Sequence, residues 1–272
     1  MSRIHLTDRQ WAFIHPLLPP LARTGRPRAD DWGTVEGILY VLITGCRWQD
    51  LPREYGAPTT VWRRLKRWGE EGVWERIWRA ALVALDRQGQ LDWSIAFLDG
   101  SFAPATKGGD QVGPTKKGKG TTWMLVVDGD GLPLGFHLDS AKVAEVRVAE
   151  QTLDTIRVCR GGGRGRPKRR PKTLVADRGY DSGEFRHALR RRGIRMCIPA
   201  KRRPSRWHAK LAGRCWPGAT SIGSAIQWSG VSPGSETSVA CSSAGNTAAA
   251  SIGASSLWPC CWSVCGGPAP IT

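Results

Sequence analysis

Apolar and polar positions alternate with a helical period through the first third of the chain. Thr7 followed by Gln10 has the form of a capping box, and Trp11, Ile14, Leu17 and Leu18 then share a face until Pro19 and Pro20 stop the helix. A basic loop, TGRPR at 24–28, leads to Asp30 and Asp31, either of which can cap a second helix. That helix repeats Val35, Ile38, Leu39, Leu42 and Ile43, and Gly45 ends it. After DLPREYGAP, Thr59 or Thr60 opens a third helix with Val61, Leu65 and Trp68 on its apolar side and Arg63, Arg64, Lys66 and Arg67 off it. A fourth carries Val73, Trp74, Ile77, Trp78, Ala81 and Leu82. Short helices with a basic one after a turn suggest a helix-turn-helix arrangement that sets the basic helix against DNA.

The pattern changes near residue 90 to strands alternating with helices. Trp93 to Leu98 is a short apolar strand, and the turn signal Asp99-Gly100 ends it. A Gly- and Lys-rich loop (108–120) precedes a strand at 122–128, and Asp128-Gly-Asp-Gly131 turns the chain into a partner strand over Leu132 to Leu138. Glu145 to Ile156 is a helix, the loop at 160–172 is basic, and Lys172 to Ala176 is a further strand that ends in Asp177. An Arg-rich helix (183–192) and a strand from Arg195 to Ile198 follow. A hairpin feeding such units predicts an α/β fold, a mixed sheet flanked by helices behind a small helical domain.

Composition adds a partner and a discontinuity. The 272 residues carry 40 Lys and Arg against 23 Asp and Glu, a net charge of +17, which favours a polyanion over an uncharged metabolite. No apolar run approaches a membrane span, and the start, MSRIHLTDRQWAF, lacks a signal-peptide core, so a cytoplasmic protein with unpaired thiols is expected. All the basic residues and 22 of the acidic ones precede Cys215; the last 58 residues hold one charge, Glu236, with five of the eight Cys, 12 Ser and no periodicity. Two kinds of sequence are joined.

Chemistry concentrates at Asp99 and Asp177, which both follow apolar strands. Carboxylates gathered at the ends of neighbouring strands repel, and a hard divalent cation, Mg²⁺ or Mn²⁺, relieves the repulsion. Such ions can clamp the oxygens of an in-line phosphoryl transfer. Lys116, Lys117, Arg164, Arg166, Lys168, Arg169 and Arg170, with the third helix's Arg63, Arg64, Lys66 and Arg67, supply positive charge for a DNA backbone. Asp128, Asp130, Asp139 and Asp181 read as turn or cap residues, with Asp181 close enough to Asp177 to support it. His137 and His187 lack partners at zinc spacing, Cys46, Cys159 and Cys197 are solitary, and GRGRP lacks the ending of an ATP-binding loop.

These residues carry a resemblance. LTDRQWAFIHPLLPP (6–20), GRPR (25–28), GILYVLITGCRWQDLPREYG (37–56), TVWRRLKRWGEEGVWERI (60–77), AFLDGSF (96–102), GKGTTWMLVVDGDGLPLGFHLDSA (117–141), LVADRGYDS (174–182) and LRRRGIRMCIP (189–199) resemble the IS5-type insertion-sequence transposases. The resemblance implies an RNase H-like fold with an Asp-Asp-Glu triad, in which Asp99 and Asp177 are the first two acids and metal ligands. It implies that water activated by Mg²⁺ or Mn²⁺ nicks double-stranded DNA at element ends, and that the freed 3′-OH attacks target DNA. A homo-oligomer and a nucleoid-associated location fit it.

The third acid is missing from its expected Arg-rich helix, since Pro233 and several glycines oppose a helix around Glu236. A frameshift accounts for this. With codons chosen from the degenerate set and read one nucleotide out of register, residues 228–247 become Val-Glu-Arg-Cys-Phe-Ala-Trp-Leu-Gly-Asn-Phe-Arg-Arg-Leu-Leu-Val-Arg-Trp-Glu-His, the family's helix. The stretches 216–227 and 257–267 agree on the same offset, which places the slip between about Arg206 and Trp216. The expected domains are 1–88, helical and DNA-binding; 89–205, an incomplete catalytic core; and 206–272, a frameshifted and poorly structured tail. Impaired or absent strand cutting follows. A catalytically inactive protein bound at element ends, a metal-dependent nuclease of another kind, and a non-functional product are the alternatives.

Overall fold

A computed structural model describes residues 5–20, 24, 28–105, 111–116, 118–160 and 165–201. The expectations for the tail at 206–272, and for Lys117 and Arg164, lie outside the described residues. The chain separates into two compact units, one running up to Ala81 and the other taking over at Leu82.

The first unit is helical. Helix α1 (Asp8–Ile14) starts at the reciprocal capping box of Thr7 and Gln10, and a 3-10 turn from His15 to Leu17 closes it. Helix α2 (Asp31–Thr44) is capped by the Asp30 carboxylate, which accepts from the amides of Trp32 and Gly33. Gly45, with φ at 65°, ends α2 in the left-handed conformation that suits glycine. Helix α3 (Pro58–Glu70) begins at Pro58, ahead of both expected threonines, because proline's fixed φ suits the first helical turn. Helix α4 (Val73–Arg87) follows.

The link from α2 to α3 runs from Gly45 to Ala57 and carries two 3-10 turns, longer than the tight turn expected ahead of a recognition helix. The tight turn lies instead between α3 and α4, at Glu71-Gly72, where Trp68 and Trp74 meet edge-to-face at 5.5 Å. Val35, Ile38, Val61, Leu65, Trp68, Val73, Ile77 and Trp78 are among this unit's buried residues.

The second unit holds a mixed sheet. Strand β1 (Ile95–Pro104) pairs antiparallel with β3 (Gly118–Asp128), which pairs antiparallel with β4 (Pro133–Ser140), while short β2 (Gly113–Thr115) pairs with the start of β3. On its other side β1 runs parallel to β5 (Thr173–Ala176), and β5 parallel to β6 (Arg195–Cys197). Helix α5 (Glu145–Thr155) packs on β3 and β4 and meets α6 (Gly183–Arg191). One sheet face, with Ala96, Leu98, Met124, Val126 and Leu174, is fully buried. The fold is therefore mixed α/β, with a helical region preceding a mixed sheet flanked by helices.

One expectation fails at a position that matters. Strand β1 does not stop at Leu98: it continues through Asp99-Gly100 to Pro104, because β3 supplies partners from Asp128 back to Gly120. A long antiparallel ladder overrides the local turn signal. The expected loop at 108–120 likewise contains β2 and the first residues of β3.

Candidate active site

The parallel pairing of β1 with β5 ends at Leu98 opposite Ala176, and Asp99 and Asp177 are the next residue on each strand. Since Phe97 pairs with Val175 and side chains alternate, both acids belong to the sheet face of Phe97 and Val175. So Asp99 sits inside its strand yet still beside the carboxyl end of a parallel pair. Asp177 caps a 3-10 turn (Arg178–Tyr180) and accepts from the Arg178 amide. Asp99 accepts from the Gly100 amide at 2.9 Å and borders a shallow depression lined by Ser101, Trp123, Leu125 and Val127.

The charges near this end of the sheet act on one another. Partial burial pushes the Asp99 carboxyl above its usual range against the Gly100 hydrogen bond, and the charges of Glu145 and Asp177 push it further. Glu145 opens α5, and the Tyr180 hydroxyl donates to its Oε2 at 2.9 Å. The Tyr180 phenol is itself pushed far up, by burial first and then by Glu145, Asp99 and Asp177. Gly100 makes this possible: a Cβ there would lie 3.1 Å from the Tyr180 hydroxyl and 3.2 Å from Glu145 Cδ.

Glu145 and Tyr180 were not among the sequence-derived candidates. Glu145 reads locally as a first-turn acid that complements a helix dipole, and Tyr180 as part of the turn after Asp177. Asp181 turns out to be structural: it pairs with Arg186 at 2.6 Å and accepts from the Lys201 amide. Asp128 is also structural, fully buried and accepting from the amides of Asp92, Asp130 and Leu132.

The donors that Asp99 and Asp177 offer are carboxylate oxygens, which suit a hard divalent cation in kind. Among the described residues, however, no group of three or more His, Cys, Asp or Glu stands close enough to hold a metal as a preformed cage.

The cationic candidates divide. Arg63, Arg67, Lys116, Arg166, Arg169 and Arg170 are exposed, though Arg67 pairs with Glu71 at 2.7 Å and Arg170 donates to the Arg192 carbonyl. Lys66 lies 3.8 Å from Glu70 and over the Trp62 ring. Arg64 faces inward: its side chain is 12% exposed and bonds Asp31 of α2 at 2.9 Å, beside Arg28 on the same carboxylate. Lys168 reaches Asp86 at 2.8 Å and covers the Trp93 ring. Arg64 and Lys168 thus hold elements together.

Comparison with known proteins places the chain. Residues 6–78 match a family described as "Putative transposase of IS4/5 family", and residues 92–217 match "Transposase DDE domain". A relative in Burkholderia cepacia, "Insertion element IS402 uncharacterized 16.2 kDa protein", is 38% identical over 122 residues, covering 42% of this chain and 83% of its own length. The chain belongs to the IS4/5 family of transposase-like proteins.

Two further relatives of this IS4/5-family protein are similar. "Putative transposase for insertion sequence element IS402", also from Burkholderia cepacia, is 44% identical over 91 residues, which is 33% of this chain and 42% of that relative. "Uncharacterized protein y4sN" of Sinorhizobium fredii is 34% identical over 89 residues, 32% of this chain and 68% of its own. Membership supports a general role in DNA transposition and, with it, DNA as partner. Among the described residues no helix is long and apolar enough to cross a membrane.

Proposed function

We propose that the IS4/5-family chain is an insertion-sequence transposase in which Asp99 and Asp177 are the first two acids of an Asp-Asp-Glu site on an RNase H-like sheet. The observation that carries this reading is their placement side by side where the parallel β1–β5 pairing ends, with the charge of Asp177 acting on Asp99. Four strands in antiparallel pairing, β1 to β4, followed by β5 and β6 running parallel to β1 support the fold assignment. Asp99 and Asp177 would hold Mg²⁺ or Mn²⁺, which when bound activates water and steadies the departing oxygen of a phosphodiester. Burial and mutual repulsion raise the Asp99 carboxyl, so cation binding relieves a strain that the protein alone leaves in place.

Double-stranded DNA is the substrate, and the helical region at 1–88 and the basic loops of the core at 89–205 supply its phosphate contacts. Arg63, Arg67, Lys116, Arg166, Arg169 and Arg170 are the exposed members of that set. The region from 206 carries the frameshift, so strand cutting is impaired and the protein acts in the bacterial cytoplasm chiefly as a binder of element ends.

The test is an electrophoretic shift and cleavage assay on element-end DNA with Mn²⁺, alongside sequencing of the gene from about codon 200 in all frames. A downstream frame encoding the Glu-bearing Arg-rich helix identifies a frameshifted transposase, and a restored gene product should cut DNA. Asp99→Asn or Asp177→Asn should abolish that cutting and spare binding; cutting that survives either change sinks the assignment.

A further inference from the structure

We propose that Lys172, Arg190 and Arg195, with Arg169 and Arg170, form a phosphate-binding surface that holds duplex DNA at the end of β5 remote from Asp177. The proposal rests on the reading of DNA as partner and adds a place where the duplex is held without being cut.

Positive charge gathers here from a loop, a helix end and an edge strand. The loop at 165–172, GRPKRRPK, carries five basic side chains and no acid, and no acid occurs between 185 and 201. The fold brings the two stretches together. The Arg195 amide donates to the Lys172 carbonyl at 2.9 Å, and the Arg170 guanidinium donates to the Arg192 carbonyl at 2.6 Å. Arg195 opens β6, at the edge of the sheet, opposite Thr173 at the start of β5. Asp177 follows the last residue of β5, so about 13 Å of extended chain separates the two ends. That is roughly four base pairs of duplex.

The nearby acids are already paired. Glu150 and Asp154 of α5 each bond Arg192 at 2.9 Å, Arg191 lies 3.9 Å from Glu150, and Asp86 of α4 bonds Lys168 at 2.8 Å. Among the described residues Arg169, Lys172, Arg190 and Arg195 are exposed and have no ion-pair partner. The C-terminus of α6 offers about half a negative charge, too little to balance them. The backbone beneath these side chains is pinned. Val158 and Lys168 exchange two backbone bonds at 2.9 Å, Pro171 is buried, and the Lys172 amide donates to the Trp93 carbonyl at 2.8 Å. Unpaired cations displayed on a fixed frame repel one another, and a polyanion with regularly spaced phosphates relieves that repulsion.

Fluorescence anisotropy of a labelled duplex with the full-length protein, followed across a salt series without metal, decides the matter. The combined change Lys172→Ala, Arg190→Ala and Arg195→Ala should lower the salt slope of binding by about two to three units. The loss should be the same with Mn²⁺ present, because the acids stand at the other end of β5. Arg190→Lys with Arg195→Lys keeps the charges and should leave the slope at the parent value. Circular dichroism should show the variants folded, and if the triple variant is not, Arg190→Gln and Arg195→Gln singly, at about one unit each, serve in its place. A slope unchanged in these variants but lowered in Arg63→Ala overturns the proposal and leaves DNA as partner. A loss seen only with Mn²⁺ also overturns it, since the surface then belongs to the acids' end. No duplex binding by the unaltered protein overturns the reading of DNA as partner as well.

Discussion

Asp128 should make the stability of the sheet unit fall as pH rises from 4 to 7. Its carboxylate is fully buried at the β3–β4 turn, and three backbone amides point at it, from Asp92 and Leu132 at 3.0 and 2.8 Å and from Asp130 at 3.1 Å. Burial outweighs those bonds and pushes its pKa from 3.8 up to about 6, with Asp130 adding repulsion. A raised acid binds its proton more tightly in the folded state, so folding is favoured below the unfolded pKa and loses stability between the two values. The full difference is about 3 kcal/mol above pH 6, of which about 2 kcal/mol develops between pH 4.5 and 7.5.

Asp128→Asn removes the titration but keeps one oxygen for the Leu132 and Asp130 amides, both of which bond Oδ1. Its new amide faces the Asp92 N–H, which costs about 1–3 kcal/mol at any pH. The variant should therefore gain about 2 kcal/mol on the parent between pH 4.5 and 7.5, moving from about 0–2 kcal/mol less stable to about 0–2 kcal/mol more stable. Urea unfolding of both proteins at each pH, with hydrogen exchange localised to 122–138, measures the difference. Other groups titrate equally in both proteins and cancel. A gap between parent and variant that stays constant from pH 4.5 to 7.5 refutes the reasoning, because then the Asp128 carboxylate is not strained by burial.

Three further outcomes follow from the packing. Leu98→Ala, at a position with no exposure in the central strand, should cost about 2–5 kcal/mol in a urea titration. Arg64→Ala should cost about 1.5–3 kcal/mol in stability through the lost Asp31 bond, while Arg63→Ala should leave stability unchanged and lower the salt slope of DNA binding by about one unit. Gly100→Ala should force the Tyr180–Glu145 pair aside and lower stability in the same urea titration, with circular dichroism still showing a folded chain.

Elements governed by neighbours in sequence were legible. The Thr7–Gln10 box, the Asp30 cap, the Gly45 stop and the 128–131 turn each depend on residues within four positions, and each occurs where local chemistry puts it. What sequence could not show depends on partners far along the chain. Strand β1 passes through Asp99-Gly100 because β3, some twenty residues later, offers it a ladder. Arg64 falls off the apolar stripe of α3 and so reads as solvent-facing, but Asp31, 33 positions earlier, draws it inward. Lys168 is claimed in the same way by Asp86, 82 positions away. Of the candidate site, the two acids that end apolar runs were visible, whereas Glu145 carried no local sign of its neighbours.

The meeting of Tyr180 with Glu145 explains why β1 carries glycine at position 100. A strand interior normally loses stability at glycine, since it gives up packing and gains unfolded-state entropy. Here β1 keeps a glycine between Asp99 and Ser101, with buried Met124 directly across from it. A side chain on that position would recover apolar contact, yet it would occupy the space in which the Tyr180 hydroxyl and the Glu145 carboxylate meet. The weakness in the strand and the polar pair beside it are therefore one feature. It lies on the Leu98 face of β1, across the sheet from the face that carries Asp99, so the strand serves packing and polar pairing on one side and presents its acid on the other.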